Sequence, residues 1–219
     1  MESKILFIII SYAILFFPLL TMILCAIFFY YYRHNYFYEY FPTISQMNVF
    51  PPERYIFSVN LSITAILIFI FGYICYKFIK TLKSNSNLTV YKIIYIISLI
   101  ISSISMILFS CFPVRYYQAI HSISAALFFC LTFLFYLIYD IILKKCNKDY
   151  PIIQFLITFS SLFFIVLYFI FKTVGLNKEN DILCSISSVW EIASIIMLLV
   201  KVIFIFNYKK KVSVDTENK

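Results

Sequence analysis

Apolar residues dominate six long stretches of the chain: Ile5–Tyr32, Tyr55–Tyr76, Ile93–Cys111, Gln118–Leu143, Ile152–Phe171 and Ser185–Phe206. A helix needs roughly 20 apolar residues to cross the hydrocarbon core, and each stretch is about that long or longer. A barrel strand would instead alternate between a lipid face and an inner face. Runs such as Ile63 to Ile70 do not alternate. Backbone N–H and C=O groups in lipid must be satisfied within the segment, so the pattern predicts six helices.

The expected fold is therefore all-α: a six-helix transmembrane bundle over residues 1–207, with a polar tail over 208–219. The third, fourth and fifth connections are short, which makes consecutive helices antiparallel neighbours in one bundle. No fixed-period repeat or linker divides the chain. The first run is far longer than the about 7–15 residues of a signal-peptide core, and no small-x-small site follows it. It reads as an uncleaved signal anchor. Pro18, in the middle of that run, removes one helix hydrogen bond and is expected to kink it.

Composition agrees with the pattern. The chain is 63% hydrophobic, 21% aromatic and 13% charged, against about 45–50% apolar and about 25% charged in a soluble domain. Charge then orients the spans. With the N-terminus in the cytosol, twelve Lys fall on that side: Lys4, Lys77, Lys80, Lys83, Lys92, Lys144, Lys145, Lys148, Lys209, Lys210, Lys211 and Lys219. The other side receives five, Arg33, Arg54, Arg115, Lys172 and Lys178. The positive-inside rule thus places both termini in the cytosol. Lysines beside anionic inner-leaflet lipid account for the net charge of +8 without a nucleic-acid partner. The sequon at Asn87 would then be cytosolic and that at Asn60 intramembrane, so neither should carry a glycan.

The first exoplasmic loop, Arg33 to Arg54, is the exception among the connections. Tyr36, Phe37, Tyr38, Tyr40 and Phe41 precede Pro42, and Pro51-Pro52-Glu53-Arg54 closes the loop. Rings favour the headgroup region, and prolines hold the backbone in extended or turn geometry. This loop is expected to fold against the outer mouth of the bundle.

Ionisable residues inside the spans mark the candidate chemistry. Gln118 and His121, three apart, share one face of the fourth span. His121 lies about 6 Å below the exoplasmic boundary at the helical rise, and Glu191 of the sixth span roughly 9–10 Å below it. Such groups face a partner, the bundle interior or a water-filled cavity. His121 and Glu191 are expected to approach each other, with Trp190, Gln118 and Tyr117 nearby. Three roles are open to them: a hydrogen bond clamping two helices, a polar head-group or ion site, or catalysis. Near the cytosolic face, Asp140 either forms an ion pair with Lys201 or pairs with Lys144 while Lys201 snorkels to the headgroups.

Cys111 and Cys184 both fall at exoplasmic helix ends, where a disulfide could join the third and sixth spans. The six cysteines show no metal-ligand spacing. There is no GxSxG, no HExxH and no glycine-rich phosphate loop in a chain with two glycines. No metal, no cofactor and no catalytic residue is therefore assigned. The expectation is a non-enzymatic protein, with a lipid transferase using His121 held open.

The segment from Pro42-Thr43-Ile44-Ser45 to Pro52-Glu53-Arg54 resembles the first loop of the damage-regulated autophagy modulator (DRAM) family, with its "P-x-I-S-x-x-x-x-x-P-E" pattern. Tyr117-Gln118, His121 and Ala125-Ala126 are similar to its "F-Q…H-D-x-G-A" pattern, with Ser122 in place of the Asp. Glu191 beside Trp190 is similar to its "E-W", in reversed order. Pro51 to Tyr55 also resembles relatives in GPI-anchor lipid remodelling, the CWH-type N-terminal domains. Other relatives help recruit a phosphatidylinositol 4-kinase. The resemblance implies an autophagy or lysosome modulator, or else a lipid-handling factor in GPI-anchor or ceramide remodelling. It also implies membrane lipids and membrane proteins as partners. The implied location is lysosomal or endomembrane ahead of the plasma membrane, with ER or Golgi as the alternative.

Overall fold

A computed structural model describes residues 2–39, 42–81, 88–147, 149–178 and 180–217, with side chains over 5–32, 42–81, 88–147, 149–178 and 180–208. Tyr40 and Phe41 of the first loop, the Asn87 sequon, and Lys83, Lys148 and Lys219 lie outside the described residues. Seven helices follow one another: α1 (Glu2–Glu39), α2 (Ile44–Met47), α3 (Glu53–Thr81), α4 (Thr89–Cys111), α5 (Gln118–Cys146), α6 (Ile152–Asn177) and α7 (Asp181–Glu217). All except α2 contain a stretch long and apolar enough to span a bilayer.

The helices overrun the apolar stretches. With 38 residues, α1 is about 57 Å long at the helical rise, nearly twice the hydrocarbon thickness. It runs on to Glu39, into what the sequence assigned to the loop. At the other end of the chain, α7 begins at Asp181 and continues to Glu217, through most of the polar tail. Intrahelical hydrogen bonds need no lipid, so a helix does not have to stop where the hydrocarbon does. Through Pro18, α1 stays helical.

Each long helix packs beside the next in the chain, and α7 returns to α1. The closest pairings are α6 with α7 and α4 with α5, whereas α5–α6 and α1–α7 touch less extensively. Six helices in a ring leave a central space that side chains must fill. At the end holding the chain termini, Tyr95, Phe135 and Tyr139 fill it, with Tyr95 and Phe135 edge-on at 5.8 Å. On the outside, Ile9, Phe16, Ile23 and Phe163 are each more than half exposed, the surface expected of a face turned to lipid.

Small and hydroxylated residues bring the helices together, as is usual where lipid removes any hydrophobic drive to associate. Ser98, Ser102, Ser103, Ser105 and Ser110 are buried along α4. Ser102 meets Thr132 of α5 at 2.6 Å, and Ser58 of α3 donates to the Ser110 carbonyl at 2.6 Å. Gly72 lets α3 approach α4: its carbonyl accepts the Tyr95 hydroxyl at 3.0 Å. A Cβ there would stand 2.5 Å from Leu99 Cδ1, and Leu99 is fully buried. Gly72→Val should thus lower the thermal unfolding midpoint in detergent, at a cost of about 1–3 kcal/mol for overpacking. Adding Leu99→Ala should recover part of that loss.

Candidate functional site

Two polar clusters sit at opposite ends of the bundle interior. The first is organised by α2, a single turn that exists because of its caps. Thr43 Oγ1 accepts the Gln46 N–H at 3.2 Å, and Gln46 Oε1 accepts the Thr43 N–H at 2.9 Å. This reciprocal capping box satisfies two amides that so short a helix would leave orphaned. Pro42 through Ser45 are buried, so the loop is tucked into the ring rather than laid over it.

There it separates the pair expected to meet. Glu191 Oε2 accepts the Ile44 N–H at 2.8 Å. His121 Nε2 lies 3.0 Å from Ser45 Oγ, and His121 Nδ1 lies 2.8 Å from the Phe112 carbonyl. No bond joins His121 to Glu191 among the described residues; consecutive residues of α2 link them instead. A carbonyl only accepts, so Nδ1 carries the proton, and in a neutral ring Nε2 accepts from Ser45. Phe109 meets the imidazole edge-on at 5.9 Å. Because α7 starts at Asp181 rather than Ser185, Glu191 lies roughly 15 Å along its helix.

The second cluster resolves the alternatives for Asp140 in favour of Lys201. Lys201 Nζ donates to Asp140 Oδ1 at 2.6 Å and to Gln154 O and Oε1, both at 3.0 Å. All three ammonium protons are thereby used. Asp140 Oδ1 also accepts the Tyr150 hydroxyl at 2.6 Å, and Oδ2 accepts the Thr158 hydroxyl at 2.8 Å. Lys201 and Asp140 are 1% and 0% exposed. Burial, reinforced by the adjacent carboxylate, pushes the Tyr150 hydroxyl above its ordinary pKa and keeps it a donor.

Between the clusters lies a cavity of about 300 Å³. Its body is apolar, with Phe57, Phe109, Phe128 and Leu198 in the walls, and its loop-side end is polar, with Gln118, His121, Lys172 and Glu191. Gln118 is exposed at the rim. Trp190 is turned away and stacks on Phe164 of α6 at 5.5 Å. Of the loop motif, Ser45 lines the cavity, Pro52 and Arg54 are half-buried, and Glu53 opens α3 with its side chain fully buried. A carboxylate suits that position at the positive end of the helix dipole.

The possible Cys111–Cys184 disulfide is not formed: both thiols are free. Cys111 Sγ faces Ser62 of α3 at 3.9 Å, whereas Cys184 packs where α7 crosses Gly175 of α6. Sequence reasoning passed over Lys172, counted only as a topology charge. It also passed over Gln154 and Thr158, polar positions inside an apolar run that could have been flagged as partners for a buried charge.

A family model described as the Frag1/DRAM/Sfk1/Cwh43P N-terminal domain matches residues 6–215. The chain belongs to this family. No curated protein and no solved structure matches it. The matched span takes in all six membrane helices and both polar clusters, so the Frag1/DRAM domain is the whole bundle. The resemblance read from the first-loop, fourth-span and sixth-span residues is borne out at that level.

Removing one member of a buried ion pair leaves the other charge uncompensated, at a cost of about 3–5 kcal/mol. Asp140→Ala or Lys201→Ala alone should therefore sharply lower the unfolding midpoint and the yield of folded protein. Asp140→Leu combined with Lys201→Met should lose much less. At the other end, Glu191→Ala strips the Ile44 N–H of its acceptor, worth about 1–3 kcal/mol. Faster proteolysis of the 42–52 loop should report it, and Glu191→Gln should largely prevent it.

Proposed function

We propose that this chain is a non-enzymatic, multi-pass endomembrane protein that regulates by holding lipid in its central cavity, in the manner of the autophagy and lysosome modulators of its family. The observation that carries this reading is the cavity itself: mostly apolar along its walls, with Lys172, Glu191 and His121 gathered at one end, which matches the division of an amphiphile. Six spans and the lysine bias support cytosolic termini, which would place the polar end in the exoplasmic leaflet. Lipids are then the first partners, with membrane proteins as further ones.

A second reading, lipid handling by acyl transfer in GPI-anchor or ceramide remodelling, is favoured by the Ser45–His121 contact. His121 has its Nδ1 proton held by a carbonyl and Nε2 facing a hydroxyl, the arrangement of a base beside a nucleophile. Ser45 Oγ would attack an acyl carbonyl as its proton passes to Nε2. The ester bond would break, and the departing alcohol would take that proton from Nε2. A second alcohol, giving its proton to Nε2, would take the acyl group as the Ser45 ester breaks and Ser45 Oγ regains the proton. The Glu191 carboxylate, bonded to the residue next to Ser45, opposes this, because it would repel the developing oxyanion. Binding is accordingly the leading reading.

Purified full-length protein should retain lipid in native mass spectrometry, and Ala125→Trp, which fills the cavity, should abolish that retention. Wild-type protein free of lipid, or full retention in the filled variant, would sink the binding reading. Ser45→Ala should keep the lipid. If it keeps the lipid but abolishes a change in anchor or ceramide composition that the wild type produces in cells, the second reading prevails.

A further inference from the structure

The cavity does not open toward the loop face, because Ile44 and Ser45 are buried across that end. It opens sideways. Five of its lining residues are themselves exposed: Gln118 and Ser122 on α5, and Phe169, Thr173 and Leu176 on α6. On α5, Gln118 and Ser122 are four apart, and on α6 the three positions follow the i, i+4, i+7 spacing, so each set forms one edge. Toward the terminal end the same two helices are tied, by Thr158 to Asp140 at 2.8 Å and by Phe133 against Phe159 at 5.8 Å. They are joined at one end and parted at the other, with the gap facing the membrane.

Lys172 stands at this gap. A lysine near a helix end ordinarily extends toward the nearer headgroups. Lys172 does the reverse: its Nζ donates to Tyr168 Oη at 2.7 Å and lies 5.0 Å over that ring. Tyr168 is one turn deeper on α6, farther from the loop face. Among the described residues no carboxylate comes within ion-pair distance of Lys172. Glu191, the acid of the same cavity, is held by the Ile44 amide. Glu191 therefore acts on Lys172 only through space. A half-buried cation with donor capacity to spare and no ion-pair contact is costly in a membrane unless an anion meets it. Gln118, Ser122 and Thr173 add neutral donors around the opening.

We infer that the gap between α5 and α6 is a lateral portal that admits one acyl chain of a lipid from the bilayer, with its anionic head group held at Lys172. This rests on the reading that the cavity holds lipid, and adds the route and the head-group charge. The volume of about 300 Å³ is at the lower limit of ligand pockets, which suits a single chain; a second chain stays outside in the bilayer. A phosphate diester and a fatty-acid carboxylate present the same chemistry to Lys172.

The test is native mass spectrometry of the full-length protein with phosphatidylglycerol and phosphatidylcholine of identical chains, and with oleate in a separate arm. Phosphatidylglycerol should be favoured by about tenfold, the scale of one charge-assisted hydrogen bond. Lys172→Gln should bring the two lipids to parity, and Lys172→Arg should restore the preference. Thr173→Trp, which narrows the portal, should slow lipid uptake while leaving the unfolding midpoint unchanged. Displacement of phosphatidylglycerol by oleate would assign the site to a fatty acid; failure to displace it would assign a phospholipid. Lipid bound without regard to charge, or a preference that survives Lys172→Gln, would overturn the head-group assignment and leave the cavity reading standing. Unchanged uptake in Thr173→Trp would overturn the portal. Wild-type protein that binds no lipid at all would take down both.

Discussion

Lys201 meets Asp140 at 2.6 Å with both side chains sealed inside the bundle, and in hydrocarbon that contact cannot be exchanged for water. An unpartnered ion there costs several kcal/mol, so each buried charge must recruit neighbours until its donors and acceptors are used. Lys201 recruits Gln154, and Asp140 recruits Tyr150 and Thr158. In doing so they draw α5, α6 and α7 to one point near the terminal face. Helix packing alone would not select that point, since lipid-facing and helix-facing surfaces are almost equally apolar.

The opposite end is governed by the same rule with a different partner. His121 and Glu191 do not bond each other; each bonds the inserted loop, His121 at the Ser45 hydroxyl and Glu191 at the Ile44 N–H. The loop thereby becomes a structural member of the membrane domain. Its capping box closes two of the amides that α2 would leave bare, those of Thr43 and Gln46, and Glu191 closes that of Ile44. With both ends fastened and six helices in a ring, the space between them has nothing left to fill it, and the cavity is the consequence.

Lys172, half-buried at the opening of that cavity, meets a tyrosine hydroxyl where Lys201 meets a carboxylate. Structural pairing accounts for Asp140 and Lys201. It does not account for a lysine turned inward onto a tyrosine hydroxyl, which is why the site's chemistry is assigned to this end of α6 rather than to the charges most evident in the sequence.

The number of spans, their helical state, the membrane class and the family were legible in the chain because each is a local property. Run length decides whether a segment can cross hydrocarbon, and backbone satisfaction within the segment decides that it crosses as a helix. The residues Pro42–Arg54, His121 and Glu191 carried the family resemblance in the same way. The helices extend beyond the apolar runs where hydrogen bonding continues, as in α1 and α7. Partnership was the part only the tertiary structure decided. Ile44 and Glu191 are 147 residues apart, His121 and Ser45 are 76 apart, and Asp140 and Lys201 are 61 apart. The sequence identified side chains that needed partners. Which atoms would supply them depended on how a ring of helices and one inserted turn filled the same small volume.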